Sequence, residues 1–307
     1  MLPAFRLYAV LGTWMEADVV EATVKNAFMQ GCERVFLVDN DSQDDTLDVA
    51  VGAGAEDVDT YSTEHFDDSA RTSRLNECVA EISEADGAEH IWWLWLDADE
   101  FPHGPRGLAI REYLASLDES FRIVGARYLN HYPGDPPHYV PGLHPLDFQP
   151  LAEELLTRFC WLWHRKHPLQ RFDRDRPRIR SIEGFHRGLC DQPLLEPAEP
   201  VFVHHFPFRE RETTERRMHA LFARCEAQPS IEGEDIFTAH MMQRFRTLDA
   251  VYDHDWRHVD MRLTRDCRRP REEPVPWTQL VEPDDVPVAR WYDASQVETR
   301  ELEACVG

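Results

Sequence analysis

The apolar positions of the first hundred residues fall into short runs separated by helical patterns. Residues 6–11 read as a strand. Asp18 then opens a predicted helix, with Glu21 three residues on as its capping-box partner. Val20, Val24, Ala27 and Phe28 share one face of that helix, and Gly31 supplies its stop. Residues 34–38 predict a second strand. The acidic turn 39–45 follows, where Ser42 and Asp45 are placed to cap a short helix over 46–51. Residues 58–61 give a third strand, and Leu75, Val79 and Ile82 mark another helix face. Residues 91–96 are apolar throughout. A run without polar alternation fits a strand buried on both faces, as in the middle of a parallel sheet. Repeated strand–helix–strand units predict a Rossmann-like α/β fold with a mixed, mostly parallel sheet.

After Asp97 the pattern changes. Leu108, Leu114 and Leu117 suit a helix, and 122–131 has strand character. Residues 132–150, rich in Pro, Gly and His, predict a long loop of the kind that often carries function. Residues 151–163 predict a helix, and 177–182 and 201–206 predict strands. Two amphipathic helices follow, one carrying Met218, Leu221, Phe222 and Cys225, the other Phe237, Met241, Leu248 and Val251. From about Arg265 the chain is dense in Pro, Asp and Glu.

Composition narrows the function classes. A 42% hydrophobic chain of 307 residues can bury a sizeable core. The formal charge of −24 repels phosphate backbones and anionic lipid, which argues against nucleic-acid or membrane-surface partners. The seven cysteines are odd in number and widely spaced, with no C-x-x-C pair, as expected of reduced thiols. The first twenty residues lack the apolar stretch of a signal peptide, and no apolar run is long enough to span a bilayer. A soluble, cytoplasmic protein without an integral membrane segment is expected.

The strongest chemical signal is the end of the apolar run 91–96, where Asp97 and Asp99 stand one residue apart. In open α/β sheets ligands bind beyond the carboxyl ends of strands. Two carboxylates there suit a hard divalent cation, Mn2+ or Mg2+, which takes few ligands from protein and the rest from phosphate and water. The run 36–38 likewise ends in Asp39 and Asn40, suited to hydrogen-bond a nucleobase edge.

Together these segments resemble family 2 glycosyltransferases with the GT-A fold. Asp39-Asn40-Asp41-Ser42-Gln43-Asp44-Asp45-Thr46 is similar to the family's Asp-Asp-Gly-Ser-x-Asp-x-Thr segment. Leu96-Asp97-Ala98-Asp99-Glu100-Phe101 resembles its metal-binding Asp-x-Asp, in a variant ending Asp-Glu-Phe. Gly12-Thr13-Trp14-Met15-Glu16 sits where the first-strand motif belongs, with Met15 replacing the usual Asn. The resemblance implies a GT-A-like domain over 1–208, with a donor-binding half to about 131 and an acceptor half over 132–208. A C-terminal helical extension and acidic, Pro-rich tail would occupy 209–307. It implies Thr13, Glu16, Asp39, Asn40, Arg71 and Asp97 near a nucleotide-diphosphate sugar donor, with Asp97 and Asp99 at the metal. A histidine from the second half, His186 or His204, would complete the metal site. The reaction implied is sugar transfer with inversion to a small-molecule or glycan acceptor, which needs a general base. Asp173, Asp175 and Glu183 are the leading candidates, with Asp147 and Glu153 behind them.

The segment 164–187 is basic within an acidic chain. It suits either an anion such as the donor diphosphate or internal pairing with the surplus of carboxylates. Rival readings are a nucleotidyltransferase or phosphatase using the Asp97/Asp99 pair, and a binding module that holds a nucleotide sugar without turning it over.

Overall fold

The computed structural model describes residues 5–65, 67–134, 138–155, 158–159, 162–163, 166–182, 187–226, 246–256, 258 and 273–286. Its strands are β1 (Arg6–Thr13), β2 (Arg34–Asp39), β3 (Glu56–Thr60), β4 (His90–Asp97), β5 (Glu100–His103), β6 (Ile123–Val124), β7 (Ala126–Tyr132), β8 (Leu151–Leu155), β9 (Arg158–Phe159), β10 (Leu162–Trp163), β11 (Leu169–Asp173), β12 (Arg180–Ile182), β13 (Arg187–Leu189), β14 (Val201–His205) and β15 (Val275–Pro276). The helices are α1 (Val20–Met29), α2 (Thr46–Gly52), α3 (Asp68–Asp86), α4 (Ile110–Ala115), α5 (Arg211–Glu226) and α6 (Leu248–Tyr252).

The main sheet has the order β3-β2-β1-β4-β11-β6. β3, β2, β1 and β4 run parallel, and β11 is antiparallel to β4. The fold is therefore α/β with a mostly parallel sheet, Rossmann-like in its first four strands. Its strand order reverses at β1, which has β2 on one side and β4 on the other. A second sheet, β15-β8-β7-β14-β5, continues directly from the end of β4.

β4 separates two apolar cores. Trp92, Leu94 and Leu96 enter one, and Ile91, Trp93 and Trp95 enter the other. Strand alternation sends successive side chains to opposite faces, so an apolar run without polar interruption is what a strand between two cores requires. The buried indole N–H of Trp93 donates to Ser83 at 2.9 Å.

Several local expectations are corrected. Residues 151–163 form strands where they are described, not a helix, because β8 pairs antiparallel with β7. Pairing buries Ala152 and sends Glu154 to Arg127 at 2.8 Å, while Glu153 accepts from Tyr132. α1 begins after Val19, with no side-chain cap. Asp18 does not open it through a capping box; its carboxylate is held by Arg209 at 2.6 Å. Asp44, rather than Ser42 or Asp45, accepts from the Thr46 N–H at 3.1 Å at the start of α2. Leu248 and Val251 lie in the short α6, whereas Phe237 and Met241 fall outside the described residues. No helix among the described residues is long and apolar enough to cross a membrane.

The second sheet buries a chain of three imidazoles. His131 Nε2 lies 2.8 Å from His204 Nδ1, and His204 Nε2 lies 3.1 Å from His103 Nε2. Burial pushes His131 down from the usual histidine range to about 3, so it folds neutral. Its folded value lies below the unfolded one, near 6.5. Its contribution is therefore complete above about pH 6.5 and is lost as pH falls toward 3. Urea melts at pH 7 and pH 5 should show about 2 kcal/mol of lost stability from this residue. A His131→Gln variant should show correspondingly less pH dependence.

Candidate active site

The carboxyl ends of β1, β2 and β4 meet where the strand order reverses, the position at which open α/β sheets bind ligands. Gly12 of β1 stands in register with Asp97 of β4, and Thr13 with Asp39 of β2. Thr13 donates to Asp39 Oδ1 at 2.7 Å. Ser42 donates to the same carboxylate through its hydroxyl and its backbone N–H, each at 2.7 Å. Asp39 thus ties the ends of β1 and β2 together. The loop after β1 is held by the Met15 N–H donating to Ser42 Oγ at 2.9 Å, with Met15 in the left-handed region at φ 57°.

Asp97 ends β4 facing α3. Arg71 reaches it across Gly12, where an added Cβ would stand 3.2 Å from the guanidinium Nε. On its other side Lys166 Nζ lies 3.4 Å from Asp97 and 2.5 Å from the buried Glu100. Asp99 turns toward the second sheet, and His205 Nε2 lies 3.5 Å from its Oδ2. His205 Nδ1 is 2.8 Å from Asn130 Oδ1. With Nδ1 turned to Asn130, the ring presents Nε2 to Asp99, and a metal ion bound there would take the place of the proton between them.

A buried ionic network closes this end of the site. Arg209, 1% exposed, lies 2.6 Å from both Glu16 and Asp18 and 3.8 Å from Asp99. Arg217 of α5 pairs with Glu16 and lies 3.8 Å from Asp99. Burial pushes the Glu16 carboxyl up to about 7 against the pull of Arg217 and Arg209. Burial also opposes ionisation of Asp99, but His205, Arg217 and Arg209 outweigh it and hold that carboxyl well below its usual range.

At the outer end, Asn40 packs beside Tyr61, Thr63 and Arg224. With its amide turned so that both polar ends are paired, Asn40 donates to Tyr61 O at 3.3 Å and accepts from Arg224 at 3.2 Å.

Thr13, Glu16, Asp39, Asn40, Arg71, Asp97 and Asp99 therefore gather at one edge. His204 does not join them. Its register with Phe101 turns it into the core, between His103 and His131, and alternation presents His205 instead. Asp173 does not join them either. It pairs with His90 at the opposite end of β4, seven residues or about 23 Å from Asp97. There it is buried and held by Arg122 at 2.7 Å and Arg171 at 2.8 Å. Asp175 is exposed in the turn just beyond. Glu183 and His186 lie outside the described residues. Asp147 is exposed at the end of the short helix Pro145–Asp147. Within the basic segment, Arg174 and Arg178 pair with Glu84, so with Arg171 they follow the internal-pairing reading, while Lys166 turns to the site.

One row of polar residues crosses the second sheet in register: Glu153 on β8, Asn130 on β7, His205 on β14 and Glu100 on β5. Cross-strand neighbours share a face, and two strand spacings put Glu153 about 10 Å from His205.

The donor set suits a hard cation that takes few ligands from protein. Among the described residues no group of three or more His, Cys, Asp or Glu side chains gathers into a cage. The Asp99–His205 pair supplies one oxygen and one nitrogen, which fits Mn2+ or Mg2+ taking its other ligands from a bound anion and water. His205→Ala should weaken Mn2+ binding, read by electron paramagnetic resonance, by at least the roughly 10–100-fold that loss of an outer-shell partner costs. His204→Ala should leave it unchanged. That variant should instead cost about 1–3 kcal/mol of stability, because His103 and His131 lose their partner.

No family model and no curated protein matches the chain. Solved structures do. A mycobacterial protein shares 18% identity at a TM-score of 0.30, over 41% of each chain. Glucosyl-3-phosphoglycerate synthase from Mycobacterium tuberculosis shares 18% identity at a TM-score of 0.28, over 40% of this chain and 44% of that one. The same synthase captured with Mn2+, UDP-glucose and phosphoglyceric acid shares 17% at a TM-score of 0.26, over 40% and 43%. The matched region thus spans less than half the length of each of these three structures.

Proposed function

We propose that the chain is a metal-dependent glycosyltransferase that takes a sugar from a nucleotide-diphosphate donor and passes it to a hydroxyl acceptor with inversion. One observation carries this reading: Asp97 and Asp99 stand one residue apart at the strand-order reversal, and His205 Nε2 lies 3.5 Å from Asp99. A nucleoside would lie along the ends of β1 and β2, near Thr13, Trp14 and Asn40. Its diphosphate would approach Asp99 and His205, which would hold Mn2+ or Mg2+. Bound there, the metal supplies Lewis-acid neutralisation of the departing diphosphate. Arg71 and Lys166 fix the Asp97 carboxylate, so its oxygens need not reorganise as charge moves.

Inversion needs a base on the acceptor side of the sugar. Of the carboxylates considered for it, Glu153 has the best-supported position. It shares the face of His205 about 10 Å away, leaving room for a sugar and an acceptor hydroxyl. In this reading Glu153 takes the acceptor proton, and the Tyr132 hydroxyl that donates to it orients the carboxylate.

A second reading, a module that binds a nucleotide sugar without turnover, is favoured by the ion pairs on Asp97 and Asp99. The test is to incubate the protein with a panel of UDP-, GDP-, CDP- and dTDP-sugars and Mn2+, then assay free nucleoside diphosphate. Slow donor cleavage is expected for one base, accelerated by a successful acceptor. Glu153→Gln should lose the acceptor-dependent rate by about 100-fold or more while donor binding persists. Binding without cleavage under any condition would favour the module.

A further inference from the structure

Trp14 follows the last residue of β1 and is only partly buried. The guanidinium of Arg224, near the end of α5, lies over its ring, with the central carbon 4.6 Å from the ring centroid. Arg224 Nη2 also donates to Thr63 O at 2.9 Å, Thr63 Oγ1 at 2.7 Å and His65 O at 3.3 Å, and it reaches the turned Asn40 amide at 3.2 Å. A flat, donor-rich group is thus stacked on an indole and inserted into a ring of acceptors.

A nucleobase is also flat and stacks on aromatic side chains, and it presents ring or amino N–H donors at its edge. The slot that Arg224 fills has the shape and polarity of a nucleobase site. It also stands at the outer end of the edge that holds Asp99. Arg217 and Arg224 lie seven residues apart on α5, which is two helical turns, so they fall on one face about 10 Å apart. Arg217 reaches the Asp99 end and Arg224 the Trp14 end. The helix therefore lies along the path of a nucleoside diphosphate, with one arginine at each end of it.

Resting on the donor-binding reading above, we infer that Arg224 occupies the nucleobase slot on Trp14 and must leave it when the donor binds. α5 then acts as a strap over the donor site. Donor affinity is lowered by the population in which Arg224 fills the slot, as for any protein whose binding-competent state is only partly populated.

The test is calorimetry on the full chain with UDP, GDP, CDP and dTDP in turn, each with Mn2+. The proteins are the wild type, Arg224→Ala, Arg224→Lys and Trp14→Ala, each first checked for a cooperative melt. Removing the stacked cation and its hydrogen bonds should tighten binding of the preferred diphosphate about tenfold in Arg224→Ala. Arg224→Lys keeps the charge but not the plane, and should bind at least as tightly as the wild type. Trp14→Ala should weaken binding by about tenfold or more. If Arg224→Ala binds as the wild type does, or more weakly, the strap is wrong and the donor reading stands. If no diphosphate binds any of the four proteins, the donor reading itself fails and the strap falls with it.

Discussion

Asp99→Asn is expected to abolish metal-dependent nucleotide binding and, with it, turnover. Asp99 is the carboxylate nearest His205 Nε2, and its charge is kept by His205, Arg217 and Arg209 against the cost of burial. The Asn side chain preserves the shape and keeps one neutral oxygen. It removes the negative charge, and with it most of the attraction for a divalent cation. Losing a partner one step removed from a metal costs about 10–100-fold in metal affinity, so losing a direct ligand should cost at least that. The fold should survive. Phe206 N–H donates to the backbone oxygen of Asp99, which the substitution leaves in place, and Arg209 keeps Glu16 and Asp18. Titration of Mn2+ in the presence of the preferred diphosphate gives the readout. Unchanged Mn2+ affinity would remove Asp99 from the site.

Arg209→Met should be the most destabilising single change at this end of the molecule. Arg209 is 1% exposed and joins the loop after β1 to the segment after β14, through Glu16 and Asp18. Methionine fills much of the volume but strips Asp18, largely shielded from solvent, of its cation and leaves the buried Glu16 with Arg217 alone. Breaking a buried pair from one side costs about 3–5 kcal/mol, because the remaining charge stays uncompensated. A fall in melting temperature on the order of 10 °C is expected. Arg211→Met is the control: Arg211 pairs with Glu215, Asp249 and Asp253 at the surface and should cost under about 1 kcal/mol. Equal, small effects of the two changes would show that the network does not hold the loop.

The parts of the fold that the sequence makes readable are those set by local pattern. β1, β2 and β4 are apolar runs whose burial on both faces leaves no other reading, and the carboxylates at their ends follow from the run lengths. The parts that local pattern does not decide depend on partners far along the chain. Residues 151–155 carry Leu, Ala and Glu, all good helix formers, and become a strand because β7 stands beside them. The choice between His204 and His205 turns on the register of β14 against β5, a one-residue parity that no neighbouring residue reveals. Asp173 is one of several carboxylates in the second half of the chain that the sequence offers as a base. Because β11 runs antiparallel to β4, it is delivered to the far end of the sheet. Arg209 has no local signal at all, since Glu16 and Asp18 lie at the other end of the chain. Sequence pattern thus located the carboxylate pair but not the cations and imidazole that the second sheet and α5 bring to it.

The most direct measurement is a thermal-shift series with UDP, GDP, CDP and dTDP, each with and without Mn2+, on the wild type and Asp99→Asn. A ligand that binds only the native state raises its stability with occupancy. If the chain holds its donor through a metal at Asp99, one diphosphate raises the wild-type melt only when Mn2+ is present, and Asp99→Asn removes this shift. A wild type that no diphosphate stabilises with any amount of Mn2+ would contradict metal-dependent donor binding.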